Sequence, residues 1–227
     1  MAPTSGFELE DPKEAAQRCV DALRAQGAEF IICLSHSGTD TKKSRSEDEQ
    51  LAKAVEGIDL LVSGHSHTTL EEPIVAGDTY VVSACPYCEN LGSITLAWDG
   101  AGEKTQVDYH LTPIDESLPE DPEIAALAEE WKRLVSGSYL SAYSLTYDQV
   151  LTTSSFDLKQ PEEGIQGENN LGNLVADAYL WAVENLEADR PEVETVAVTA
   201  SGVLRAPLYA GDITVSQAFD VLSMGIG

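Results

Sequence analysis

Basic residues are scarce in this 227-residue chain: 13 Lys and Arg stand against 39 Asp and Glu, a formal net charge of −26 at pH 7. Sequence-independent binding to nucleic acid depends on Lys and Arg displacing phosphate counterions, so the composition argues against that class of partner. The same field disfavours anionic membrane surfaces. No apolar run approaches the roughly 18 residues of a spanning helix. Four cysteines are too few for a disulfide scaffold in a chain of this length. Internal repeats and low-complexity tracts are absent, and residues 1–11 show no basic stretch, apolar core or small-residue cleavage site of a secretory leader. The acidity itself fits a salty or extracellular habitat as well as it fits a functional role. What remains is 43% hydrophobic residues, enough to bury the core of one large or two small domains.

The order of elements reads as α/β. Asp11-Pro12-Lys13-Glu14 has the form of a helix start, with Ala16, Cys19, Val20 and Leu23 at helical spacing and Gly27 closing the helix. Residues 28–34 are a run of strand length, apolar but for Glu29, broken by Ser35-His36-Ser37-Gly38. Ser46-Glu47-Asp48-Glu49 reads as a second capping box, and residues 58–62 as a second strand, interrupted by Ser63-Gly64-His65-Ser66-His67-Thr68. Strands without alternation are expected to be covered on both faces. Hairpin-like strands follow, around Gly77-Asp78 and Asp99-Gly100, and the proline-rich acidic stretch 112–123 reads as a boundary. Beyond it, helices carrying Trp131 and Trp181 on apolar stripes, strands near 145–152 and 194–199, a short hairpin around Gly211-Asp212 and a short helix from Ser216 are expected.

Three of the four histidines occupy the two loops just past the carboxyl ends of those apolar strands, where open α/β sheets bind ligands. Imidazole is the commonest metal ligand, and Gly64 lets the backbone turn tightly before His65. Strand order brings His36 and the pair His65 and His67 to one sheet edge.

Leu34-Ser35-His36-Ser37-Gly38 and Asp59-Leu60-Leu61-Val62-Ser63-Gly64-His65-Ser66-His67-Thr68 resemble the last two metal motifs of the calcineurin-like metallophosphoesterases, and within them the bacterial 5'-nucleotidase and UDP-sugar hydrolase family. Asn169-Asn170-Leu171-Gly172-Asn173-Leu174-Val175-Ala176-Asp177-Ala178 is similar to the opening helix of that family's carboxyl-terminal domain. The resemblance implies part of a four-layer α/β/β/α metallophosphoesterase domain over residues 1–115. A linker with a helix over 116–144 and the first part of an α+β 5'-nucleotidase carboxyl-terminal domain over 145–227 would follow. It implies His36 and His65 on one divalent ion and His67 on a second, the ions being Zn, Mn, Fe or similar. Two such ions would assist hydrolysis of a phosphate ester, most simply a nucleotide. It also implies a parent that is periplasmic, cell-wall bound or secreted.

The family's earlier Asp-x-His, Gly-Asp and Gly-Asn-His-Asp/Glu motifs do not occur, so no catalytic residue is assigned and the chain alone is expected to be weakly active or inactive. Asp59 begins the strand that ends before His65, which puts it roughly 20 Å from the loop. Asp40 reads as a turn residue. Val198-Thr199-Ala200-Ser201-Gly202-Val203-Leu204-Arg205-Ala206 is similar to the family's Asn-Gly-Gly-Gly-Ile-Arg-Ala turn. The resemblance makes Arg205 and Gly202 the candidate substrate-binding residues, guanidinium being suited to phosphate.

Two alternatives stay open. A non-catalytic metal- or ligand-binding surface module would use the same histidines. A thiol redox module would use Cys85-Pro86-Tyr87-Cys88, although no helix follows to supply the field such a thiol needs.

Overall fold

The structure, a computed structural model, describes residue 6 and residues 8–98, 104–160, 167–186 and 195–224, side chains 104–107 aside. The chain divides into two compact units, Met1–Pro119 and Glu120–Gly227.

In the first unit, α1 spans Pro12–Ala25, with the Asp11 carboxylate accepting from the Lys13 backbone N–H at 2.8 Å and proline in the first turn. Strand β1 (Ile32–Ser35) is followed by α2 (Glu47–Ala54), β2 (Leu60–Ser63), β3 (Ile74–Ala76) and β4 (Thr79–Val82). These strands form one sheet in the order β1-β2-β4-β3, with β1, β2 and β4 parallel and β3 antiparallel to β4. A long hairpin, β5 (Asn90–Trp98) with β6 (Lys104–Pro113), completes the unit.

The side chains of Cys33, Leu61 and Val81 alternate with their strand neighbours and pack with Val20 of α1 and Leu51 and Ala52 of α2 into the core. The opposite face of β1 is open. Ile32 is 51% and Leu34 81% exposed, so the expectation of strands covered on both faces is corrected for β1, whereas Leu60 of β2 and Val82 of β4, on that same face of the sheet, are buried. The apolar run at residues 28–34 reflects two apolar faces, on the second of which Phe30 packs edge-on against Trp98 of β5, centroids 5.3 Å apart, while Ile32 and Leu34 stay exposed.

The second unit begins with α3 (Pro122–Gly137), capped by Asp121, whose carboxylate accepts from the backbone N–H groups of Glu123 and Ile124. A 3₁₀ turn (Leu140–Tyr143), β7 (Val150–Ser154), α4 (Asn170–Leu186), β8 (Gly211–Thr214) and α5 (Val215–Val221) follow. β7 and β8 pair antiparallel across more than fifty intervening residues, so Gly211-Asp212 starts a long-range pairing and not the short hairpin expected. Residues 195–200 are irregular rather than a strand. The core is Leu158, Leu171, Val175, Leu204, Leu208, Ile213 and Val221. Trp131 and Trp181, whose apolar stripes imply burial in a core, are 61% and 59% exposed.

Candidate functional site

β1 and β2 run parallel in register, Leu34 beside Val62 and Ser35 beside Ser63. Both chains therefore leave the sheet at the same edge, where the Gly64 N–H donates to the Ser35 carbonyl at 3.0 Å. The imidazoles of His36 and His65 meet there with ring centroids 5.2 Å apart, tilted by 62°. Glycine at 64 is required by this approach, because a Cβ would lie 2.8 Å from His36 Nδ1. His65 (φ 70°) and His67 (φ 54°) both adopt left-handed backbone, a conformation that non-glycine residues take at a cost. Between them Ser66 faces inward: its Oγ accepts from the Thr39 N–H at 3.0 Å and bonds to Thr68 Oγ1 at 2.8 Å.

Beneath the histidines lies Asp48, fully buried in α2. Its Oδ1 accepts from Ser35 Oγ at 2.5 Å, and its Oδ2 from Ser63 Oγ at 2.5 Å and the Gly38 N–H at 2.9 Å. One carboxylate thus grips the residue before His36, the loop after it and the strand end before Gly64-His65. Asp48 is the site residue that sequence reasoning missed. It stands in the run read as a capping box, but Ser46 makes no side-chain cap and its Oγ has no partner among the described residues. Glu49 pairs instead with Lys43 and Lys53.

The His67 ring packs on Tyr87, centroids 5.4 Å apart. Tyr87 belongs to Cys85-Pro86-Tyr87-Cys88, in which both cysteines are thiols. Burial pushes the Cys85 thiol above its ordinary range, and the Glu89 carboxylate, which accepts from Sγ at 3.2 Å, adds to the rise. A strand, β5, follows this turn, so no helix terminus activates the thiol.

The histidines do not by themselves make a metal centre. Among the described residues no three His, Cys, Asp or Glu side chains are placed to hold one ion. His36 and His65 supply two imidazoles, His67 packs on Tyr87, and no carboxylate among the described residues joins them. Asp40 is occupied with the Lys42 N–H and Arg45, which hold its carboxyl below the usual range. Asp59 accepts from the Ile31 N–H and Arg24 at the far end of β2.

In the second unit Arg205 follows the 3₁₀ turn Ser201–Val203. Its backbone N–H donates to the Val221 carbonyl at 2.8 Å, and buried Leu204 anchors it on the core. The guanidinium donates to the Gly202 carbonyl at 3.3 Å, and among the described residues no carboxylate pairs with it, so most of its donors are open to a ligand. A Cβ at Gly202 would meet nothing, so this glycine is not imposed by packing.

Residues 146–226 match the model of the family described as 5'-nucleotidase, C-terminal domain. The chain carries a 5'-nucleotidase C-terminal domain. Over 99% of its length it is 29% identical to the trifunctional nucleotide phosphoesterase protein YfkN of Bacillus subtilis, covering 14% of that protein. It is 28% identical to the 5'-nucleotidase of Diplobatis ommata, covering 99% of this chain and 40% of the relative. The crystal structure of the 5'-nucleotidase precursor from Thermus thermophilus superposes with a TM-score of 0.70 at 27% identity, over 95% of this chain and 42% of that one. The chain therefore spans less than half the length of these relatives. Within the 5'-nucleotidase C-terminal domain fall Arg205 and Gly202, while His36, His65 and His67 lie ahead of it.

Proposed function

We propose that this chain is part of a phosphoester hydrolase acting on nucleotides, in which the histidine edge contributes to a divalent-metal centre and the Arg205 turn to substrate binding. The observation that carries it is the meeting of His36 and His65 at 5.2 Å on one sheet edge, in a chain whose relatives are 5'-nucleotidases. The open face of β1 fits the remainder of a four-layer α/β/β/α metallophosphoesterase domain, and that remainder would supply the carboxylates and the catalytic residues this chain lacks. Two divalent ions, when bound, would polarise the phosphoryl group and lower the pKa of an attacking water. Neutral imidazoles at 36 and 65 would hold one ion, His67 would turn from Tyr87 toward the other, and Arg205 would offer its open donors to phosphate or ribose oxygens. A protein of net charge −26 needs such local positive charge to admit an anion. An exported parent agrees with the acidic composition.

The test is release of phosphate from nucleoside monophosphates by the natural full-length product with Mn²⁺ or Zn²⁺, with and without a chelator. Turnover should be metal-dependent, abolished by His65→Ala, and weak or absent for the 227-residue chain alone. Absence of turnover in the full-length product would favour the second reading, a non-catalytic metal- or ligand-binding module. The lack of three converging donors among the described residues is the observation on its side.

A further inference from the structure

Of the six non-glycine residues with positive φ among those described, five lie in two touching loops: His65 and His67 in one, Cys85, Tyr87 and Cys88 in the other. The second loop is a tight turn closed by the Glu89 N–H on the Pro86 carbonyl at 3.3 Å, with Tyr87 (φ 58°) and Cys88 (φ 59°) at its centre. That left-handed pair has the form of a type I′ turn, which Asn-Gly usually fills, and each non-glycine residue there costs on the order of 1 kcal/mol. Strain of this kind persists only where the surroundings hold it. They do so here through the histidine loop: Thr68 O accepts from Ser83 Oγ at 2.6 Å and from the Cys85 N–H at 3.3 Å, Thr69 bridges Ala84, and Tyr87 packs on His67.

We propose that Cys85 and Cys88 form a reversible disulfide that resets this turn and lifts Tyr87 from His67. The two cysteines are separated by two residues in a segment that reverses direction, so the chain itself keeps them within bridging reach. Cys88 is exposed, whereas Cys85 is partly covered and engaged with Glu89. Exchange with a low-molecular-weight disulfide, RSSR, runs in two steps. The Cys88 thiolate attacks one sulfur and expels RS⁻; Cys85 then attacks the Cys88 sulfur of the mixed disulfide and releases the second RSH. Two electrons pass to RSSR, and both thiol protons end on the two RSH released. Closing the bond takes Cys85 Sγ off Glu89 and fixes Tyr87 inside a small ring, so the left-handed pair and the ring contact with His67 cannot both survive. The inference is independent of the hydrolase assignment, because it is read from thiols and one imidazole without metal or substrate.

The experiment uses the 227-residue chain in glutathione buffers of graded ratio, quenched with acid and alkylated with iodoacetamide under denaturing conditions. Of four cysteines, the number alkylated should fall from four to two, with Cys85 and Cys88 joined. In parallel, the ring Cε1–Hε1 signal of His67 should shift on oxidation, while that of His110 stays in place. Cys88→Ser, an exposed change, should abolish both effects; Tyr87→Leu should leave the disulfide and remove most of the shift. Retention of four alkylated cysteines under the most oxidising buffer would overturn the proposal. So would a stable glutathione adduct on Cys88 alone, a disulfide that leaves the His67 signal where it was, or a full shift in the Tyr87→Leu protein.

Discussion

His36 and His65 leave their sheet over a buried carboxylate, whereas Arg205 leaves its turn over an all-apolar cluster. The two supports do different things. Asp48 holds three donors from two strand ends and one loop, and hydrogen bonds are directional, so it fixes where each loop points. Leu204, Leu208 and Leu171 fix only how deep the Arg205 turn sits, because burial energy depends on area and not on angle. A pair of rings that must meet at 5.2 Å needs the first kind of support. One guanidinium with open donors needs only the second.

The largest effect expected from breaking this contrast is Leu171→Ala. Leu171 is fully buried in α4 against the cluster under Arg205, and truncation of such a leucine costs about 2–5 kcal/mol. Hydrogen exchange should show loss of protection across residues 167–186 and 204–222 together, with β1 and β2 unchanged. Loss confined to the Arg205 turn would show that its support is local and directional after all.

Asp48→Ala comes next. It leaves Ser63 Oγ and the Gly38 N–H buried without their acceptor, at a cost on the order of 2–3 kcal/mol. Unlike Leu171→Ala, it should move the His36 and His65 ring signals even under conditions where the protein stays folded. Asp48→Asn, which keeps shape but loses one acceptor, should give the same displacement with a smaller loss of stability, read from urea midpoints. Unmoved ring signals in both variants would show that the strands alone aim the histidines.

Much of the first unit was legible in the sequence. Two short apolar runs, each ending in a glycine-containing histidine loop, imply parallel strands with both loops at one edge, because a crossover helix lies between them. Helix α1 announced itself through its cap and spacing, α3 and α4 through apolar spacing alone. Asp48 was hidden because a capping box and a buried clamp use the same residue types, and only the third dimension shows which oxygens the carboxylate meets. The aromatic stripes misled for a related reason: helical periodicity tells which face is apolar, not whether anything covers it, and among the described residues Trp131 and Trp181 have no such cover. The β7–β8 pairing is long-range, so no local signal near Gly211 could name its partner.

The smallest test asks which role Glu49 has. Its side chain is 4% exposed and meets Lys43 Nζ at 2.8 Å and Lys53 Nζ at 2.7 Å. Hydrogen bonds from Lys43 first and Lys53 second hold its carboxyl below the ordinary 4.5. A depressed carboxylate stabilises the fold fully above its unfolded value, and that contribution is lost as pH falls through the lowered one. Both lysines reach water, being 74% and 50% exposed on their side chains, so each pair is worth under about 1 kcal/mol. Glutamine serves a capping box as well as glutamate does, so Glu49→Gln separates the two roles. If the lysine pairs matter, the variant should lose slightly under about 1 kcal/mol at pH 7 and show a flatter fall of unfolding free energy below pH 4.5. Ser46→Ala should then cost less than the roughly 1 kcal/mol of a working cap, since Ser46 Oγ has no hydrogen-bond partner among the described residues. An unchanged acid limb in Glu49→Gln, together with a full cap penalty in Ser46→Ala, would restore the capping box and leave Asp48 as the one residue of that run that serves the histidine edge.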